Sequence, residues 1–73
     1  MKSKIIVIKE FSKIAEFVAQ AGQVDGDVAV KSGRWVVDGK SLMGLYSLAV
    51  DRGVTVEYPD DANAFESYLD ETF

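Results

Sequence analysis

The sequence predicts an α+β fold, an open-faced sandwich in which helices cover one face of a four-stranded antiparallel sheet. The hydrophobic pattern changes period along the chain and predicts the element order β-α-β-β-α-β-α. Segments 24–31 and 54–58 alternate apolar and polar residues, which is typical of strands with one face in water. A length of 73 residues predicts a single domain, 1–73, with one compact core.

The first strand and the first helix are predicted from two changes in the apolar pattern. Residues 5–8, Ile-Ile-Val-Ile, are all β-branched and predict a strand. Apolar residues at helical spacing over 11–21 predict a helix that buries one face. Ser12 is a candidate N-cap and Gly22 a candidate left-handed stop for this helix.

A hairpin is predicted next. The alternating segment 24–31 leads to a turn at Ser32-Gly33, and residues 34–37 form the return strand. Trp35 lies on this return strand, at an edge of the predicted sheet. The pattern leaves open whether its side chain covers the sheet or joins an interface.

The second half of the chain predicts a helix, a strand and a last helix. Ser41 is the candidate N-cap of the second helix, which is expected to end near residues 52–53. Its apolar face is predicted to consist of Leu42, Leu45, Leu48 and Ala49. The strand over 54–58 and a turn at 59–61 precede the last helix, whose stripe is predicted to be Phe65, Tyr68, Leu69 and Phe73. Glu66 is expected on the water-facing side of this helix.

Charge is divided unevenly along the chain. Residues 1–52 hold all eight basic side chains and six acids, whereas residues 53–73 hold six acids and no base. We interpret the acidic end as a solvated helix face, with an acidic docking surface as the alternative. The net charge of −4 disfavours a nucleic-acid partner.

Several kinds of chemistry are excluded by composition. The sequence contains neither cysteine nor histidine, which excludes thiol nucleophiles, thiolate metal sites and imidazole bases. We therefore expect no enzyme activity, no cofactor and no metal. The longest apolar run, residues 5–8, is too short for a membrane span or a signal peptide, so we expect a cytoplasmic protein without a membrane partner. The acidic pairs are interpreted as turn and cap residues, namely Asp25/Asp27 and Asp60/Asp61.

Residues 39–50, Gly-Lys-Ser-Leu-Met-Gly-Leu-Tyr-Ser-Leu-Ala-Val, resemble the second-helix signature of HPr. HPr is the phosphocarrier of the bacterial sugar phosphotransferase system, and its signature reads Lys-Ser-Ile/Leu-Met-Gly-Leu/Val-Met-Ser-Leu. Further segments resemble the same family: 17–21, 27–30, 53–56 and 61–69. The resemblance covers most of the chain and implies an HPr-like fold with the element order derived above.

One part of the chain departs from the family. HPr carries its phosphate on a histidine in a Gly-Leu-His-x-Arg-Pro loop between the first strand and the first helix. Here residues 9–13 read Lys-Glu-Phe-Ser-Lys, a shorter segment without the histidine, the arginine or the proline. The resemblance therefore does not imply that this chain relays phosphate.

Ser41 is the first candidate site residue. In Gram-positive relatives of HPr the matching serine is phosphorylated by an ATP-dependent kinase, so the resemblance implies a regulatory phosphorylation site. A phosphate at a helix N-terminus is also favoured by the helix dipole and by unpaired N–H groups. The alternative is that Ser41 is only an N-cap.

Two further groups of candidates follow from the resemblance. Leu42, Met43 and Tyr46 match the part of HPr that borders its partner-docking surface, so they are predicted to bind a partner. Self-association through the same residues, or their burial in the core, are the alternatives. Ser12 and Lys13 open the first helix where HPr places its active site, and they are predicted to form at most a weak anion site.

The functional prediction combines these points. The chain is predicted to be an HPr-like regulatory or protein-interaction module that cannot carry phosphohistidine. By resemblance, its partner is a kinase, a phosphotransferase-system enzyme or a transcription regulator. The alternatives are a residual phosphotransferase component that acts as a kinase substrate, and a small scaffold that forms a homodimer.

Overall fold

A computed structural model describes residues 1–73 and confirms the predicted element order. The strands are β1 (Lys2–Ile6), β2 (Ala29–Ser32), β3 (Trp35–Asp38) and β4 (Val54–Tyr58). The helices are α1 (Phe11–Gly22), α2 (Leu42–Tyr46) and α3 (Asn63–Thr72), and a 3₁₀ turn over Val50–Arg52 precedes β4. None of these helices has the length and apolar character needed to cross a membrane.

The four strands form one antiparallel sheet in the order β1-β4-β2-β3, which confirms the predicted fold class. Val30 and Val56 are paired across β2 and β4, and both are buried under the helices. The opposite face of the sheet is open, and Ile5 is 80% exposed there. The core is a single cluster to which all three helices contribute, through Ile14, Phe17, Ala21, Leu45, Phe65 and Leu69.

The boundaries of β1, β2 and β3 differ from the sequence prediction. β2 begins only at Ala29, because the alternating residues 24–28 form bends and irregular chain before it. β1 begins earlier than the predicted segment 5–8 and ends at Ile6. The hairpin turn consists of Gly33 and Arg34 instead of Ser32-Gly33, so the return strand starts one residue later than predicted. Gly33 has φ +59, which fits the first central position of a type II′ turn and requires glycine.

Both predicted ends of α1 are wrong. The N-cap is Glu10, whose backbone is extended, and the helix begins at Phe11, so Ser12 already lies inside the first turn. Gly22 remains helical and does not adopt a positive φ. The helix ends instead at Gln23 in a right-handed conformation, where the Gln23 N–H donates to the carbonyl oxygen of Gln20.

α2 is much shorter than predicted. Its Ser47 hydroxyl donates to the Gly44 carbonyl at 2.6 Å, a side-chain bond that competes with continuation of the helix. The chain leaves the helix at this point, and Leu45 is the one residue of the predicted apolar face that is fully buried. Leu48 lies beyond the helix, is half-buried and still packs against the core, whereas Leu42 and Ala49 are exposed.

The acids at the end of the chain are largely exposed, as the solvated interpretation predicts, but Glu66 is half-buried, which corrects the expectation for that residue. Ion pairs connect α3 with the basic side chains of β1. Lys4 forms an ion pair with Asp70. Glu66 accepts hydrogen bonds from the buried Tyr58 hydroxyl at 2.7 Å and from Lys2 Nζ at 3.3 Å. Burial, followed by this hydrogen bond, raises the pKa of Tyr58 to about 12. The bonds from Tyr58 and then Lys2 hold the pKa of Glu66 below its ordinary value.

Glu66→Ala is expected to lower the urea midpoint of unfolding, because it leaves the buried Tyr58 hydroxyl without an acceptor. Glu66→Gln keeps an acceptor and should lose less stability at neutral pH. The pKa of Glu66 is lower in the folded protein than the ordinary value of 4.5. Its contribution to the free energy of unfolding is therefore fully present above pH 4.5 and is lost as the pH falls below that value. Urea melts from pH 7 to pH 3 should therefore show a steeper loss in wild type than in Glu66→Gln. Parallel curves would contradict this role.

Candidate functional site

Ser41 forms the N-cap predicted from the sequence. Its backbone is extended, and its Oγ accepts a hydrogen bond from the Gly44 N–H at 3.1 Å. The side chain is half-buried at the start of α2. The cap therefore fixes where α2 begins and which residues its first turn exposes.

The connection between β3 and α2 holds Ser41 in place. Asp38 accepts the Lys40 N–H through its carboxylate at 2.9 Å and the Ser41 N–H through its carbonyl at 3.0 Å. The buried Gly39 donates its N–H to the carbonyl oxygen of Val28 at 2.7 Å. These bonds tie the N-terminus of α2 to the edge hairpin of the sheet.

An exposed apolar patch surrounds the first turn of α2. Met43 is 78% exposed, and Leu42 and Tyr46 are also exposed. Phe11, at the start of α1, is 73% exposed and stacks on Tyr46 with ring centroids 4.9 Å apart and planes 11° from parallel. We call Phe11, Leu42, Met43 and Tyr46 the apolar patch. The sequence prediction included the last three and missed Phe11.

The apolar patch borders an open cleft of about 340 Å³. The cleft lies between the start of α1, the α2 helix and the 3₁₀ turn, and its lining includes the core residues Ile14, Leu45 and Val50. Charged side chains also line it: Lys9, Glu10 and Asp51. A cleft of this composition can accept an apolar side chain while the charges orient the molecule that carries it.

The candidate anion site at Ser12 and Lys13 offers few groups that could bind an anion. Ser12 is exposed, and Lys13 Nζ lies 3.4 Å from the carboxylate of Glu16. Glu10 also lies close to Lys13, since both line the same shallow depression beside the end of α3. Lys9 also lines this depression, so its charges are mixed, and the one ion pair formed by Lys13 is with Glu16.

Comparison with known proteins identifies the family. The family model described as the PTS HPr component phosphorylation site matches residues 11–67 of the chain. The chain also resembles the crystal structure of HPr-C-His from Thermoanaerobacter tengcongensis, with 28% identity, a TM-score of 0.80 and coverage of 97% of this chain and 89% of that one.

A phosphocarrier protein HPr from Bacillus anthracis str. Ames shares the fold, with 24% identity, a TM-score of 0.70 and coverage of 94% of this chain and 93% of that one. No curated protein sequence matches the chain. The matched segment begins at Phe11 and includes Ser41 and the whole of α2. Because the family model spans well over half of the chain, this protein belongs to the HPr family of the phosphotransferase system.

Proposed function

We propose that this protein is an interaction module of the HPr family that docks protein partners through the apolar patch and does not relay phosphate. The observation that carries the proposal is the stacked pair of Phe11 and Tyr46 beside the exposed Met43. This cluster occupies the end of the molecule where the β1–α1 connection lacks the family's histidine loop. Since the sequence has no histidine, a phosphohistidine relay has no acceptor here.

Physical considerations favour docking at the apolar patch. Exposure of an apolar cluster to water is unfavourable, so a partner that covers the cluster is bound more tightly. Methionine is flexible and polarisable, so Met43 can adapt to an uneven partner surface. The adjoining cleft offers a place for an apolar anchor residue, and anchors of this kind dominate binding energy at protein interfaces. The patch and the cleft together form one continuous surface.

Phosphorylation of Ser41 is part of the proposal as its means of control. The Ser41 Oγ already accepts the Gly44 N–H, and phosphate oxygens are stronger acceptors at the same place. The phosphate would stand next to Leu42 and Met43 in the chain. Because it is charged and strongly hydrated, it would oppose burial of the apolar patch while leaving the fold intact.

Titration calorimetry with the first enzyme of the phosphotransferase system tests the docking surface. Met43→Glu should weaken binding by about tenfold or more, because it places an unpaired charge inside the contact. Ile5→Glu is the matched control: Ile5 is equally exposed but lies on the open face of the sheet, away from the patch. The control should bind like wild type. Equal loss in both variants, or unchanged binding by Met43→Glu, would remove the docking role from α2.

The control by Ser41 is tested in the same titration. Ser41→Asp should weaken binding, since it brings a negative charge beside the patch while an aspartate remains a good N-cap. Ser41→Asn keeps a capping side chain without the charge and should bind like wild type. If both variants bind alike, the charge at this position does not govern docking, and Ser41 acts as a cap alone.

A further inference from the structure

β3 is an unprotected edge of the sheet. The sheet has two edges, β1 and β3. The β1 edge carries Lys2 and Lys4, and charged lysines of this kind discourage strand pairing between molecules. β3 contains neither lysine nor proline, and its Trp35 is 69% exposed next to the exposed Val36. An apolar edge strand of this type is suited to pair with another strand.

The backbone of Val36 has its hydrogen-bonding groups directed away from β2. In antiparallel pairs, every second pair of facing residues exchanges hydrogen bonds. The Gly39 N–H donates to the Val28 carbonyl, so Val28 and Gly39 form a pair that exchanges hydrogen bonds. Counting along the register in steps of two, the other pairs of this kind are Val30/Val37 and Ser32/Trp35. Val36 faces Lys31 in a pair that does not exchange bonds. Its N–H and C=O therefore point to the free edge.

The charges at the two ends of β3 are arranged so that the strand complements itself. Arg34, the turn residue directly before β3, and Asp38, the last residue of β3, stand two residues before and two residues after Val36. If a second copy pairs antiparallel about a two-fold axis at Val36, Arg34 faces Asp38 of the second copy, and the reverse pair forms as well. Opposite charges that face each other across strands stabilise the pairing. In any register shifted from this one, these charge pairs are lost.

We infer that the β3 edge binds the β3 edge of a second copy of this chain, and that the two sheets join into one antiparallel sheet of eight strands. The Val36 residues of the two copies exchange two backbone hydrogen bonds at the axis. Trp35 faces Val37 of the second copy, the residue on which α2 packs through Gly44. This interface is distinct from the apolar patch, because it is built on the strand edge and its backbone.

The sole tryptophan makes the association measurable. As the protein concentration rises from the micromolar to the millimolar range, sedimentation velocity should show a shift from monomer to dimer. The Trp35 emission should shift to the blue over the same range, because its exposed ring becomes covered. A protein that remains monomeric at all concentrations, with constant emission, would overturn the inference.

Val36→Pro tests the backbone pairing. Proline is accepted at an edge position whose N–H points outward, so the hairpin should be retained, as checked by circular dichroism. The loss of the outward N–H should weaken dimerisation by about tenfold or more. Met43→Glu changes the apolar patch and should leave the dimer unchanged. A dimer that resists Val36→Pro and is lost with Met43→Glu would place the interface on the patch and contradict the inference.

A charge exchange tests the register. Arg34→Asp and Asp38→Lys should each prevent dimerisation, because each variant sets two pairs of like charges face to face. When the two variants are mixed, opposite charges face each other at both positions, and dimers should form again. Sedimentation of each variant and of the equimolar mixture gives the readout, with circular dichroism as the check on folding. If both variants fold but their equimolar mixture stays monomeric, a two-fold axis at Val36 is excluded.

Discussion

Leu45→Ala is expected to cost about 2–5 kcal/mol of unfolding free energy, the range for a truncated core leucine. Leu45 has 0% of its surface exposed and is the one buried residue of α2. It ties this short helix to the single core cluster, so truncation to alanine leaves a cavity in the core. Small domains have about 5–15 kcal/mol of stability in total, so a large share would be lost. Urea melts at pH 7 measure the effect.

Leu48→Ala is the comparison for this prediction. Leu48 was assigned to the same apolar face from the sequence, but it lies beyond the end of α2 and is only half-buried. Its truncation removes less buried surface and opens less of a cavity, so the loss should be clearly smaller than for Leu45→Ala. Equal losses in the two variants would contradict this difference in burial.

The parts of the fold that follow from local pattern were predicted well. Along β4, buried and half-buried residues alternate over Val54–Tyr58 as the sequence indicates. Both ends of α1 and the end of α2 were predicted poorly, whereas the start of α2 at Ser41 was predicted correctly. Ser12 has the right chemistry for a cap, but the extended Glu10 starts the helix first. Ser47 ends α2 through its own side chain, although the apolar spacing continues to Leu48.

The site shows the same division between local and distant causes. Ser41 and its hydrogen bond to Gly44 lie within one helical turn, and the sequence was sufficient to predict them. Phe11 has its stacking partner, Tyr46, on another helix, and helical spacing alone placed it with the buried residues of α1. Glu66 was assigned to water because its partners, Tyr58 and Lys2, come from two strands. The positions of Phe11 and Glu66 depend on contacts between different elements, and local sequence spacing does not predict such contacts.

The two proposed surfaces meet at Gly39. This residue follows the β3 edge directly and lies two positions before the Ser41 cap. Its backbone passes so close to the residue before β2 that a Cβ atom would lie 2.5 Å from Val28 Cγ1 and 3.1 Å from the Val28 carbonyl oxygen. The position therefore has no room for a side chain, and the close approach aligns both the edge strand and the start of α2.

Gly39→Ala is accordingly expected to cost about 1–3 kcal/mol of unfolding free energy, the usual range for a side chain forced into a packed site. The Val28 carbonyl cannot move aside without loss of the hydrogen bond from Gly39, so the connection to Ser41 must shift. Gly22→Ala is the matched control, because a Cβ there meets nothing within 4 Å and the residue is already helical. It should be neutral or stabilise the protein by up to about 1 kcal/mol. Urea melts distinguish the two variants, and similar midpoints would contradict the close packing at Gly39.

In titrations with the first enzyme of the phosphotransferase system, Gly39→Ala should also bind more weakly than Gly22→Ala, since displacement of the Ser41 cap moves Leu42 and Met43 with it.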